Sequence, residues 1–287
     1  MRRAAFVVGL GALAAGCGAS STAKLDSGAD TTTPSDAAAP IDTADLGSGD
    51  GTVDAGDDAD DAAPALPRAL FNGVDFTGWD LYLGEPTPGA NALGIDNDPL
   101  GVYSIVTVDG EPAIRISGEV WGALISQQEL CDFHLSLDYR WGTAVWPPLD
   151  SFDSGVMYLS TGPLGAVNAG GTALSNPIGS GGFMVSVEYQ ITPGDVGGMY
   201  NLGPITFQAG ARAQIPETPG AWNHVDISVQ GGVARHQLNG QDVTTGSGFA
   251  VAWPGQPAQA LTCGKLQLQS EGAEIFFRRV QLLAPGS

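Results

Sequence analysis

Two polar residues in an otherwise apolar segment carry the clearest chemical signal in the chain. Glu188 and Gln190 alternate with Val187, Tyr189 and Ile191, so on an extended strand the two point the same way while the apolar set points to the other side. A carboxylate with a neutral amide beside it can take a proton while a donor holds the charge that develops. Asp138 and Arg140 show the same spacing and read as an ion pair or as a clamp on hydroxyl groups. His134, His224 and His236 share no metal-ligand spacing, so each is expected on a surface or a strand face and no zinc site is expected. Ser154 lies in Asp-Ser-Gly and lacks the Gly-x-Ser-x-Gly elbow of a hydrolase triad. The glycines from 179 to 182 lack the Lys-Ser/Thr of a phosphate cradle and read as a loop. Of six tryptophans, Trp146 before Pro147-Pro148 is expected to be the best exposed stacking platform, and Trp79 and Trp222 are expected in the core.

The elements that must position these residues are short and alternating. Phe133 to Arg140, Met184 to Ile191, His224 to Gln230 and Lys265 to Gln269 read as strands, separated by Gly, Pro, Asn and Asp. No long stretch repeats apolar residues at helical spacing. The pattern predicts two packed sheets, with Phe133, Leu135, Leu137, Tyr139, Val185, Val187, Tyr189, Ile191, Val225, Ile227 and Val229 in the core. Asn239-Gly240 between two such runs predicts a tight hairpin turn. Residues 68–287 then form one all-β domain of a size normal for a sandwich.

The first 67 residues read differently. Met1-Arg2-Arg3 is a basic start, and the apolar run from Ala4 to Ala15 is too short to cross a hydrocarbon layer of ~30 Å as a helix. Leu13-Ala14-Ala15-Gly16-Cys17 resembles a lipobox, which implies lipidation of Cys17 and a membrane partner through two or three acyl chains. An ordinary secretory leader with a chance cysteine is the alternative. Gly18 after the cysteine favours the outer over the inner membrane. Residues 18–67 are nearly all Ala, Asp, Thr, Ser, Gly and Pro, a composition expected to form an extended tether. The spacing of their aspartates is not that of a calcium loop. The formal charge of −20, about half of it in this tether, argues against nucleic acid or an anionic substrate. Cys131 and Cys263 each precede a predicted strand and would sit in an oxidising compartment. An intramolecular bridge is expected, with two buried thiols as the alternative.

The stretch Leu70-Phe71-Asn72-Gly73-Val74-Asp75-Phe76-Thr77-Gly78-Trp79 resembles the opening of the 3-keto-disaccharide hydrolase domain family. Asp132-Phe133 through Arg140, Asp153-Ser154-Gly155-Val156 and Val187 to Ile191 follow in the family's order. So do Trp222-Asn223, Leu238-Asn239-Gly240, Gly264 to Gln269 and Phe277-Arg278. The resemblance implies a concanavalin A-like jelly-roll sandwich and a carbohydrate ligand or substrate. It departs from the family at Asp153, where many relatives have Asn, at Leu159-Ser160, and at Arg279, which stands in place of an Asn. In a 3-keto sugar the carbonyl acidifies the hydrogen on C2, so one base can remove it and the glycosidic oxygen leaves from C1. Glu188 is the expected base. Gln190, Arg140 or an ion would be the electrophile, and Arg140, Asp153 and Trp146 the expected substrate contacts. No cofactor is required, although a divalent metal could serve, and a partner sugar dehydrogenase would make the keto group. Burial is expected to raise the Glu188 pKa. Laminarinase-type paired acids are not apparent, since no second carboxylate shares the Glu188 strand. A non-catalytic, lectin-like module is the alternative function.

Overall fold

A computed structural model describes residues 67–147, 151–167 and 181–284. Cys17, the tether to Leu66, Pro148 and Gly179 lie outside the described residues. Chain-order labels are β1 (Arg68–Ala69), β2 (Trp79–Leu83), β3 (Gly94–Ile95), β4 (Tyr103–Val108), β5 (Glu111–Ile116) and β6 (Gly122–Leu130). Next come β7 (Phe133–Val145), β8 (Ser154–Thr161), β9 (Val185–Ile191), β10 (Met199–Leu202), β11 (Ile205–Ala209) and β12 (Asn223–Gln230). The last are β13 (Val233–Leu238), β14 (Gln241–Val251), β15 (Gln259–Ala260), β16 (Gly264–Ser270) and β17 (Ala273–Leu283). Among the described residues there is no helix.

The strands make two antiparallel sheets. The first runs β11-β14-β13-β12-β7-β17-β5-β4, with β1 on β17 and β15 on β14, and the second runs β10-β9-β8-β16-β6-β2-β3. This is the jelly-roll sandwich expected from alternation. Every residue of the alternating runs assigned above to the core, from Phe133 to Val229, is buried, because a strand's odd and even positions face opposite sides and only one side meets the other sheet. Asn239 and Gly240 both take positive φ, 50° and 75°, as a two-residue turn between twisted strands requires. Gly231 and Gly232 do the same between β12 and β13.

The cystine forms as expected between Cys131, just past β6, and Cys263, just before β16. Because β6 and β16 are neighbours in the second sheet, the bridge fastens two adjacent strands whose cysteines lie 132 residues apart in sequence. A loop of that length is the kind whose closure costs the unfolded chain most entropy.

Candidate active site on the outward face of the second sheet

The register of the second sheet decides which side chains share a face. Glu188 pairs with Met157 and Gln190 with Gly155 across β9 and β8, and Gln267 pairs with Met157 across β16 and β8. Gln269 therefore stands opposite Gly155, and Ala123 of β6 lies on its other side. Since Val187, Tyr189, Val156 and Leu268 fill the core, the set Glu188, Gln190, Gly155, Gln267 and Gln269 faces away from it. Asp153 and Glu271 continue the same alternation beyond the ends of β8 and β16.

At one end this face is fully hydrogen-bonded. The Gln267 amide donates to Ser160 Oγ (2.9 Å) and Ser186 Oγ (2.7 Å), and its carbonyl accepts from the Met184 N–H (3.1 Å). The segment carrying Met184 thus folds over the face, and Phe183 stacks on Trp121 at 6.4 Å.

The other end is acidic. Glu188 is only 6% exposed and Glu271 8%, with Asp153 half-buried beside them. A methyl group added to Gly155 would lie 2.6 Å from Glu188 Oε1 and 2.9 Å from Gln269 Oε1. Two acceptor oxygens thus converge over the one position in the row without a side chain. Gln269 Oε1 is buried and has no partner, as is Asp153 Oδ1. Burial and then the charge of Asp153 push Glu188 up to about 8, against a smaller pull from the Gln269 amide. Burial likewise lifts Asp153 to about 6. Burial, then Asp153 and Glu188, hold Glu271 well above the ordinary carboxylate range. No basic side chain acts on any of the three. Among the described residues no three of His, Cys, Asp and Glu are placed to hold a metal ion.

Of the residues expected to form a site, Glu188, Gln190 and Asp153 come together. The Gln190 carbonyl accepts from the Ile191 N–H at 3.1 Å, which fixes its rotamer. Trp146 lies near the acidic end: its N–H donates to the Gly272 carbonyl (2.7 Å) and its indole to the Ser117 carbonyl (3.0 Å). It is half-buried rather than an exposed platform.

Arg140 is not part of this site. It lies on β7 of the first sheet, on the outward side, where it binds Asp109 at 2.9 Å and stands over the Trp222 ring at 5.7 Å. The sandwich core separates it from Glu188. Nor does it pair with Asp138, which binds Arg278 (3.0 Å) and His224 (2.8 Å) instead. Trp222 is likewise outside the core, half-buried beneath Arg278 at 4.1 Å. His236 sits on a strand face, the inward one of β13, and is fully buried in the core: Tyr158 donates to its Nε2 (2.9 Å) and its Nδ1 donates to the Gly197 carbonyl (2.9 Å).

Gln269 and Glu271 were not singled out from the sequence. Gln267-x-Gln269-x-Glu271 has the period-two spacing that would have found them, but Glu271 falls one residue past the strand. A surface recess lined by Arg212, Asp242 and Val243 lies elsewhere and contains none of these groups.

Comparison with known families decides the lineage. The sequence pattern of the 3-keto-alpha-glucoside-1,2-lyase-like domain matches residues 67–283. The chain belongs to that family. Membership makes carbohydrate the class of molecule it acts on. No curated protein matches the chain. Among solved structures, a provisionally named glycosyl hydrolase from Parabacteroides distasonis is 20% identical, covering 75% of this chain and 91% of that one, with a TM-score of 0.47. The carbohydrate-binding module CBM66 of Bacillus subtilis is 11% identical over 72% and 96%, with a TM-score of 0.38. A Bacillus licheniformis β-glucanase is 11% identical over 72% and 99%, with a TM-score of 0.34. None of these three likenesses bears on what this chain does.

Proposed function

We propose that this family member cleaves the glycosidic bond of 3-keto-glycosides by removing the C2 proton and expelling the C1 oxygen. The observation that carries the reading is the buried carboxylate of Glu188, pushed up to about 8 with no basic partner, on a polar sheet face. A carboxylate with a raised pKa is a stronger base than a solvated one and better matched to a carbon acid. Glu188 takes the proton in its ionised form, so the rate should rise with pH towards about 8, and the Gln190 and Gln269 amides line the space where the enolate forms. The product is an enone that water can add to, so the overall outcome is elimination or hydrolysis.

Lipidation at Cys17 would place the domain in the cell envelope, most simply at the outer membrane, where a sugar dehydrogenase would supply the keto-glycoside. A binding-only module would be favoured by a Glu188–Arg140 ion pair, which the opposed sheets forbid. The deciding experiment is incubation of the purified protein with 3-keto-trehalose, with and without EDTA, while released glucose is followed. Release is the expected result; binding without release would return the protein to the lectin-like reading.

A further inference from the structure

An elimination moves two protons, and Glu188 accounts for one of them. The other must reach the glycosidic oxygen, because an alkoxide is a poor leaving group in a buried site. Given the proposed function, on which this inference rests, a residue of the same face must supply that proton.

The donor must be neutral before reaction, must share the face with Glu188, and must be held rigidly. The backbone around Glu271 meets the last requirement. Gly272 donates its N–H to the Gly118 carbonyl at 2.9 Å and accepts from the Trp146 N–H at 2.7 Å, so the turn after β16 is clamped from both sides. The alternation from Gln267 through Gln269 brings the Glu271 side chain onto the face of Glu188. Between β9 and β16 runs β8, which presents Gly155 where any side chain would collide with the Glu188 carboxylate. At that position no β8 side chain stands between the two acids, and the Glu188 carboxylate and Gln269 amide fill the place it would take. Facing Glu271 are Asp153 from the start of β8, Glu188 from β9 and, one residue before β6, Trp121 in the row of Glu271. The only charges acting on it are negative. Three such groups cannot all be ionised in a buried site without a cation. The unpartnered Gln269 Oε1, on a residue only 1% exposed, is an acceptor in the same space with no donor facing it. It converges with Glu188 Oε1 over Gly155 and marks the buried polar space that the cluster of acids shares.

We infer that Glu271 is the proton donor to the leaving glycosidic oxygen, with Glu188 as the base at C2. The C2–H bond breaks as its proton goes to Glu188, its electron pair forms the C1–C2 double bond, and the C1–O bond breaks as its oxygen takes the proton of Glu271. Proton exchange with water resets both groups. Asp153 touches neither proton; its negative charge keeps Glu271 loaded.

The test uses leaving groups of different basicity. With 3-keto-trehalose, Glu271→Gln should lower kcat/KM by ~10²-fold. With a 4-nitrophenyl 3-keto-glucoside, whose phenolate needs no proton to depart, the same variant should stay within ~5-fold of wild type. Glu188→Gln should lose ~10²-fold on both substrates. Equal losses for Glu271→Gln on both substrates, or no loss on either, would overturn the assignment. Gln replaces a neutral carboxyl with a neutral amide of the same shape, and the melting temperature of each variant shows whether the fold is kept. If the wild type turns over neither substrate, the proposed function falls. The protonation of Glu271 is then read by infrared difference spectra at neutral pH, where wild type minus Glu271→Gln should show a carboxylic-acid carbonyl band. Its absence would remove Glu271 as a donor whatever the substrate.

Discussion

The outward faces of the two sheets hold similar numbers of acids and treat them oppositely. On the first sheet Asp226 binds His134 (2.9 Å) and His224 (3.2 Å), Asp138 binds His224 and Arg278, and Glu111 binds Arg279. Burial would raise Asp138 and Asp226, but those partners outweigh it and hold both below their ordinary range, and His224 rises to about 10 between them. On the second sheet Asp153, Glu188 and Glu271 have no cation, and all three rise. Buried charges normally find partners because leaving them bare costs stability. A face that satisfies every acid is doing structural work; one that leaves three acids bare is holding them for a proton or a ligand.

The largest effect expected from this contrast falls on turnover. Glu188→Gln should cut the rate on 3-keto-glycosides by ~10²-fold or more while ligand affinity changes little. Gln190→Ala should weaken both together. Full activity in Glu188→Gln, measured by sugar release, would erase the difference between the two faces. On the first sheet the expected cost is to stability. Asp138→Asn leaves Arg278 and His224 without their carboxylate and should destabilise by about 2 kcal/mol in urea titrations, the usual penalty for a broken buried pair being reduced here by partial solvent screening. Its turnover should match wild type.

The pH dependence separates the faces by window. Glu188 holds its proton in the folded state up to about 8 but only to an ordinary 4.5 when unfolded. Between those values the native state binds more protons, so its contribution falls as pH rises and then levels off. His224 has a folded pKa of about 10 against an ordinary 6.5, so its stabilisation is complete below 6.5 and is lost as pH climbs towards 10. Thermal melts should therefore show two declines. Glu188→Gln should flatten the lower one and His224→Gln the upper; a single variant that flattens both would show the faces are coupled. The smallest effect is expected for Arg140→Ala. Because Arg140 lies on the opposite sheet, kcat/KM should change by less than about twofold. A large loss would mean that substrate reaches across the molecule.

Alternation made most of the sandwich legible in the sequence. It placed the odd residues of β7 and the Val and Tyr residues of β9 inside, and Asn-Gly marked the β13–β14 turn, because period and turn chemistry are local. Alternation also put Glu188 and Gln190 on one side. What it could not give was the sheet to which each strand belongs, since that is fixed by partners far along the chain. Arg140 and Glu188 carry the same kind of signal, yet β7 and β9 lie in different sheets. For the same reason Glu271 was missed: its importance comes from Asp153 and Glu188, more than eighty residues earlier. Trp222 looked like a core residue because tryptophan is apolar, but two guanidinium groups offer its ring a second home. Arg279 replaces the family's Asn at a φ of 52°, a conformation Asn tolerates better, and offsets this with its pair to Glu111.

The order of strands in the second sheet has a consequence for how the domain comes to exist. The β12–β13–β14 meander is joined by two-residue turns and can close from contacts near in sequence. By contrast β16 must slot between β6 and β8, which leave synthesis long before it. Loop closure over such separations is slow. The acidic face should thus be the last surface to assemble, with the bare carboxylates meeting only once the meander is in place. Pulse-labelled hydrogen exchange during refolding should protect the amides of Ile227 and Ala234 before those of Met157 and Leu268; the reverse order would mean that the active face is instead the nucleus of the fold.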